Sequence, residues 1–408
     1  MWADLLHRAL THLIHLEGME VRYPDGTLHR YGPERPAPIA IAIHDPALLR
    51  RILTQPELAL GEGYVDEGWT VERGTLADFF RVALRNQRAG HLPRVMRAWD
   101  LVLTPAQKFW RHNRLASARS NVAHHYDLSS ALYDLFLDAD RQYSCAYFPD
   151  EGMSLDAAQE AKKHHVARKL CLRPGMRVLD IGCGWGGMAL TLAREYGCDV
   201  VGITLSTEQH RMATERAREA GLAGRIDIRL MDYRELTGHF DRIVSVGMFE
   251  HVGLPQYRTY FDTVRRLLAP DGVALVHTIG VMGKPQATGE WVRRYIFPGG
   301  YLPSLSEMVA AIEKADIPIT DIEVLRDHYG HTLRRWADRF AAREDEARAL
   351  YDERFVRMWR YYLESAGGSF FWGRNVVFQV QLEASKGQVP KVRDYLTRPD
   401  ASPADGGG

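Results

Sequence analysis

The run Val178-Leu179-Asp180-Ile181-Gly182-Cys183-Gly184-Trp185-Gly186-Gly187 constrains the fold more than any other stretch of this 408-residue chain. Its first half predicts a short buried strand over 177–181. The glycines then permit a sharp turn into a helix, because a residue without Cβ bends freely and lets a ligand approach the backbone. Strand, tight turn and helix form the repeating unit of a parallel α/β sheet, and N–H groups at such a turn suit a polar or anionic ligand. Glycine spacing alone is shared by nucleotide-binding enzymes of several kinds. Here it is GxGxG with Asp180 just before it, and no Lys-Ser/Thr follows to hold a nucleoside triphosphate.

The flanking rhythm agrees with a parallel sheet. Strand patterns at 200–205, 226–230, 242–246 and 273–278 alternate with helical patterns at 207–220 and 256–268, after a helix at 157–172. Beyond Gly280 a long Gly/Pro-punctuated and helical stretch precedes strand-like 376–384, and this stretch reads as a lid or insertion. The N-terminal third has a different texture: a helix over 2–16, a hairpin over 20–31 turning at Pro24-Asp25-Gly26, a strand over 38–43, a helix over 47–53, and a helical stripe of Leu76, Phe79, Phe80, Ala83 and Leu84. The expected organisation is an N-terminal α+β domain over 1–120, an α/β domain with a Rossmann-like sheet over 121–395 with a helical lid insertion at about 281–375, and a disordered Pro/Ala/Asp/Gly-rich tail over 396–408.

Basic and acidic residues balance at 52 each, so global charge recommends neither nucleic acid nor acidic lipid as a partner. Distribution says more. Between Arg81 and Arg119 nine basic residues stand against the single acid Asp100, with Trp99, Phe109 and Trp110 among them, a pattern that suits either a headgroup interface or a solvated helix face. Cys145, Cys171, Cys183 and Cys198 lack CxxC spacing, which predicts a reduced cytoplasmic setting and no metal site. Residues 1–19 mix charges with leucines and fall short of the ~20 apolar residues of a bilayer span, so the protein is not expected to be integral to the membrane.

The glycine motif resembles the first motif of the class I S-adenosylmethionine methyltransferases. Four further motifs resemble the cyclopropane-fatty-acid synthases within that group: His125-Tyr126-Asp127-Leu128, Tyr143-Ser144-Cys145-Ala146-Tyr147, Met248-Phe249-Glu250-His251-Val252-Gly253 and His277-Thr278-Ile279-Gly280. The likeness runs from about Leu48 to Gln381. The extra N-terminal domain makes the phospholipid-modifying kind the nearer match, and in that kind the domain resembles a sterol-carrier-like lipid-binding module. The resemblance implies cofactor contacts from Tyr143, Ser144, Gly182, Gly184, Gly186, Thr204, Leu205, Gln209, Asp232 and Tyr233. Thr204 departs from the acid that many methyltransferases place at the end of this strand for the ribose.

The chemistry implied is methyl transfer from S-adenosylmethionine to the cis double bond of an unsaturated phospholipid acyl chain. Attack by an alkene creates a carbocation, so the pocket must be dry and aromatic; Tyr147, Phe148, Phe249, Phe297, Tyr301, Tyr361 and Tyr362 are candidates, with core packing as the alternative for each. A base must then take a proton from the new methyl for the ring to close. In the family that base is a bound bicarbonate, and its ligands match Cys145, Glu250, His277, the main chain of Ile279 and Tyr329 here. Taken singly, Cys145 reads as a small buried hydrophobe and His277 as a satisfied core histidine. Ala366 stands where several relatives have a cysteine, which excludes covalent catalysis there. Relatives are often dimers. The rival readings are a lipid C-methyltransferase leaving a methyl branch or methylene, an amine methyltransferase, and a lipid-binding protein without catalysis.

Overall fold

The computed structural model describes residues 1–33, 36–89 and 130–397, which fall into two compact units. The first gathers the described part of Met1–Trp110 with two later segments, Ala287–Pro298 and Gly330–Asn375. The second holds the described parts of Arg111–Gln286 and Val376–Gly408 together with Gly299–Tyr329. No helix among the described residues is long and apolar enough to cross a membrane.

In the first unit the chain forms α1 (Trp2–Leu13), β1 (Met19–Arg22), β2 (Leu28–Tyr31), β3 (Ile39–Ile43), α2 (Pro46–Thr54), α3 (Pro56–Val65), β4 (Trp69–Arg73) and α4 (Leu76–Ala89). The expected hairpin is present: β1 and β2 are antiparallel, Met19 faces Tyr31, and Gly26 takes a φ of +85° in the turn. Sheet order is β2-β1-β3-β4, with β3 parallel to β1 and wholly buried. α3 and β4 were not foreseen. α3 carries Gly61 and Gly63, poor helix formers that are retained because a Cβ at Gly61 would stand 2.2 Å from the Trp291 ring.

In the second half the order is α5 (Ser130–Asp134), α6 (Leu155–Lys169), β5 (Arg177–Ile181), α7 (Gly187–Tyr196), β6 (Asp199–Thr204), α8 (Thr207–Glu219), β7 (Ile226–Leu230), β8 (Phe240–Val246), α9 (Tyr257–Leu267) and β9 (Leu268–Val281). Then come α10 (Glu290–Tyr295), α11 (Leu305–Lys314), β10 (Ile319–Leu325), α12 (His328–Ala341), α13 (Glu344–Leu350), α14 (Glu353–Phe371) and β11 (Asn375–Glu383). The seven-stranded sheet has the order β10-β11-β9-β8-β5-β6-β7. β9, β8, β5, β6 and β7 are mutually parallel, and β10 is antiparallel to β11.

The stretch 281–375, expected as one lid or insertion, is divided. α11 and β10 build the seven-stranded unit: Met308, Ala311 and Ile312 enter its core, and Ile319, Ile322 and Val324 pack against it. Ala287–Pro298 and Gly330–Asn375 group with the N-terminal residues. There the Tyr361 ring meets Trp291, Tyr64 and Phe80 at 4.7, 5.7 and 5.2 Å, and Phe297 meets Tyr362 at 5.9 Å. Tyr361, a candidate for cation stabilisation, is therefore a core residue of that unit. Residue 396, the expected start of the tail, ends a 3-10 turn, Arg393–Leu396, in which the Tyr395 hydroxyl accepts from Gln381 Nε2 at 3.1 Å. Residues 398–408 lie outside the described residues, as do 125–128 and all of the basic segment beyond α4. Within α4, Arg81 and Arg85 pair with the buried Glu17, and Arg88 donates to the Gly373 carbonyl.

Candidate active site

From β5 the chain steps outward to β6 and β7, then returns on the other side of β5 as β8. Such a reversal opens a crevice at the carboxyl ends of the strands. The glycine turn sits there. Gly182, Gly184 and Gly186 have φ of +82°, +53° and +82°, and Gly186 caps α7. The N–H groups of Gly182 and Cys183 both donate to the Ile203 carbonyl (2.9 and 3.0 Å), tying the turn to β6. A Cβ at Gly182 would stand 2.8 Å from Met248 Cγ, whereas one at Gly184 would meet nothing within 4 Å. The turn is thus closed on one side by protein and open at Gly184, as the approach of a cofactor requires.

The other residues expected at the cofactor are placed as follows. Thr204 ends β6 and its hydroxyl donates to Gln209 Oε1 at 2.8 Å, so the position that carries an acid in many methyltransferases holds a neutral pair. Leu205 follows, half-buried, and Ser206 caps α8. Asp232 is buried, accepts from the backbone N–H of Arg234 at 2.9 Å and pairs with its guanidinium at 2.7 Å. Tyr233 is buried in the main core cluster beside Tyr260. Asp180, buried at the end of β5, has a side-chain oxygen without a hydrogen-bond partner, and burial pushes its pKa up to about 7. Tyr143 reaches the turn through a chain of rings: it lies 5.3 Å from Tyr133, which lies 5.0 Å from Trp185.

Across the crevice, Glu250 Oε1 accepts from the Ile279 N–H at 2.7 Å, joining two of the five residues expected around the anion. The other Glu250 oxygen is buried without a hydrogen-bond partner. Burial raises the pKa of this carboxyl to about 7, only partly offset by the Ile279 N–H. His277 lies two residues before Ile279 on β9, on the same face of the strand. The Gln379 side-chain amide lies 3.1 Å from the His277 Nδ1. Burial, with Lys162 next, drives the His277 pKa well down, so it is a neutral imidazole. Cys145 is fully buried, its Sγ 3.2 Å from the Ala146 carbonyl. Tyr329 opens α12 beside His328, whose Nδ1 accepts the Phe148 N–H at 2.9 Å and so brings this helix start to the Cys145 segment. A donor imidazole and a carboxyl that titrates near neutrality can exchange protons with a small oxyanion or hold one in place.

Sequence reasoning missed the polar face of α6, read only as a helix rich in Ala and Lys. Gln159 Nε2 donates to the carbonyls of Gln142 and Ser144, and Lys162 Nζ to Ser144 Oγ and Gln142 Oε1. Lys163 and Arg216 hold Asp140 between them. His165 and Lys169 share Glu323, which they hold down to a pKa of about 2 against its burial. Tyr147 is stacked between His165 and His328, centroids 4.1 and 5.2 Å away. Phe249 meets Tyr257, Tyr260 and Phe261 within the core, so ordinary packing accounts for it. The Tyr301 N–H donates to the Glu250 carbonyl at 3.0 Å, which ties the two main chains together, while the Tyr301 ring is buried in the same core cluster as Phe249. The available signal for α6 was the spacing of Gln159, Lys162 and Lys163 on one helical face, but lysines on a helix ordinarily face water.

Comparison with known proteins covers the segments that carry these residues. The mycolic acid cyclopropane synthetase family matches residues 113–380, and a domain of unknown function matches residues 5–90. A cyclopropane-fatty-acyl-phospholipid synthase of Escherichia coli is 41% identical over 86% of this chain and 92% of its own. A tuberculostearic acid methyltransferase of Mycobacterium tuberculosis is 35% identical over 92% of this chain and 89% of its own. Among solved structures, a mycolic acid cyclopropane synthase complexed with S-adenosylhomocysteine superposes with a TM-score of 0.62 at 33% identity, covering 65% of this chain and 98% of that one. With the sheet order, the glycine turn and these likenesses together, the chain belongs to the cyclopropane synthase family of S-adenosylmethionine-dependent methyltransferases.

Proposed function

We propose that this enzyme adds the methyl carbon of S-adenosylmethionine across the cis double bond of unsaturated acyl chains in membrane phospholipids, giving cyclopropane fatty acids. The observation that carries the reading is the pairing of an open glycine turn with a buried Glu250–Ile279 and His277 cluster at one topological switch point. S-adenosylmethionine supplies an electrophilic methyl: its S–C bond breaks as the alkene π pair forms the new C–C bond. Loss of a proton from that methyl lets its carbon close the ring on the cationic carbon. Bicarbonate, held by Cys145, Glu250, His277, the Ile279 main chain and Tyr329, would supply the base.

The donor set suits that anion. His277 is neutral and keeps one ring N–H, and Glu250, its pKa raised to about 7 by burial, is in part protonated at neutral pH, which eases two negative charges side by side. Among the aromatics, Tyr147 is stacked between two histidines, and Tyr301 has its main chain bonded to the Glu250 carbonyl and its hydroxyl to Glu307 at 2.8 Å. These two are the rings we assign to the cationic stage. The substrate's place in a bilayer requires peripheral attachment, which we assign to the N-terminal domain as a lipid-binding module.

The test is mass spectrometry of lipids after incubation with methyl-labelled S-adenosylmethionine and vesicles of unsaturated phospholipid. A gain of CH2 with loss of the double bond and a ring-diagnostic spectrum is expected. A second reading, in which the cation resolves to a methyl branch or methylene, is favoured by the likeness to the tuberculostearic acid methyltransferase across 92% of this chain. A labelled branched or methylene product would establish that reading in place of the first.

A further inference from the structure

Lys162 is buried beyond what a structural lysine needs. It is 0 % exposed, and its Nζ donates only to neutral acceptors, Ser144 Oγ at 3.0 Å and Gln142 Oε1, with no ion pair among the described residues. A methionine or leucine would fill the same space without the cost of enclosing a charge. The carboxylates in its field are Asp138, Asp140 and Asp180, and Asp180 is the one with a buried, partnerless oxygen. One turn earlier on α6, Gln159 grips the carbonyls of Gln142 and Ser144 at 3.1 and 2.9 Å.

The gripped segment lies directly against the glycine turn. A Cβ at Gly187 would stand 2.2 Å from Gln142 Nε2 and 2.3 Å from Asp140 Oδ2, and one at Gly247 would stand 3.7 Å from Ser144 Cβ. Gln142 is therefore held between α6 and the end of the glycine turn, with Ser144 against Gly247 just after β8, and glycine is kept at 187 because Gln142 and Asp140 occupy the space a side chain would need.

We propose that Lys162 is a positioning residue for cofactor binding: as a cation it clamps Gln142 and Ser144 onto the glycine turn and balances Asp180, so that the Tyr143–Cys145 segment is set before the cofactor arrives. The inference rests on the reading that Tyr143 and Ser144 face the cofactor. It makes the clamp sensitive to pH, since burial lowers the Lys162 pKa to about 8. The groups that face the ammonium are Asp138, Asp140 and Cys145 from the segment and the loop before it, Lys163 from its own helix, Asp180 from β5 and His277 from β9. Raising the pH through about 8 removes the charge, and the clamp weakens in that direction.

Binding of S-adenosylhomocysteine to the full chain, measured by calorimetry at pH 7 and pH 9, tests this with Lys162→Gln beside Ser144→Ala. Lys162→Gln keeps N–H donors of similar reach but loses the charge. Affinity is expected to fall roughly tenfold at pH 7, on the scale of one hydrogen bond to a charged group, and the ratio of the two dissociation constants is expected to shrink relative to wild type. Wild-type affinity and an unchanged ratio in Lys162→Gln, with weakened binding in Ser144→Ala, would overturn the proposal and leave the site reading standing. Wild-type affinity in both variants would remove the site reading and the proposal with it. Should Lys162→Gln not fold, Gln142→Met removes one acceptor and leaves the Gln159 grip on both carbonyls; a smaller loss of affinity supports the proposal and an unchanged affinity overturns it.

Discussion

In the first unit Glu17 and Glu20 are buried, yet each is matched by two arginines that reach in from the surface: Arg81 and Arg85 for Glu17, Arg30 and Arg73 for Glu20. In the second unit Lys162, Asp180, Glu250 and His277 are buried with neutral partners or with an atom left over. Every carboxylate oxygen among the described residues that is buried without a hydrogen-bond partner, on Asp180, Glu250 and Asp321, belongs to the second unit. Partnerless buried charge is costly and is retained where it serves chemistry, whereas paired charge at a rim stabilises little. The contrast places the unpaired buried carboxylate oxygens in the unit that carries the glycine turn and leaves the buried carboxylates Glu17 and Glu20 of the other matched by arginines.

The largest expected effect separates the units by rate. Glu250→Gln should lower methyl transfer to vesicles by about a hundredfold or more while S-adenosylhomocysteine still binds, and Glu20→Gln should leave the rate unchanged. Equal losses in both would break the comparison. By stability, Glu323→Gln leaves the Lys169 ammonium, 0 % exposed, without its counter-charge and should cost about 3 kcal/mol in chemical denaturation. Glu20→Gln, whose arginine partners stand 59% and 46% exposed, should cost under ~1 kcal/mol.

The pH dependence has a definite sign. Asp180 and Glu250 have native pKa values raised to about 7. Their contribution is complete below the unfolded carboxyl pKa and is lost as pH rises through about 7. Glu323 acts oppositely: its contribution is present above the unfolded value and lost as pH falls through about 2. Melting followed from pH 5 to pH 8 should therefore carry a falling carboxyl contribution, opposed up to about pH 6.5 by the buried His251 and His277, whose pKa values are lowered, and Glu250→Gln should reduce the fall by on the order of 2 kcal/mol. A fall of unchanged size would mean that Glu250 titrates normally. The smallest effect compares two glycines with open space above them. Gly26→Ala and Gly184→Ala each force a side chain to positive φ and should cost about 1 kcal/mol, but only Gly184→Ala should weaken S-adenosylhomocysteine binding.

Local patterns were legible where a single segment carried its own signal. The strands at 177–181 and 226–230, the glycine turn between β5 and α7, and the hairpin at Gly26 follow from periodicity and turn chemistry within a few residues of chain. α3 escaped because Gly61 and Gly63 argue against a helix until Trp291, far away in sequence, is seen to occupy the space above Gly61. β10 escaped because Thr320, Asp321 and Glu323 interrupt its apolar run, although its partner β11 and the buried Lys169 supply what those polar residues need. Gly182, Glu250, His277 and Ile279 were singled out through motifs, while the buried Lys162 and Gln159 were not, since nothing in a helix rich in Ala and Lys says which lysine is enclosed.

By itself the sequence determined the parallel α/β rhythm, the cofactor turn and the residue types able to manage a proton, because these depend on neighbours within a turn or a strand. Tertiary structure alone decided that 281–375 divides between two units, that Arg81 and Arg85 are consumed by Glu17, and that α6 turns a lysine inward against Ser144. Each of these is a choice of partner between residues distant in the chain. Such choices depend on the burial and charge of both members, and a pattern in one segment records only its own side.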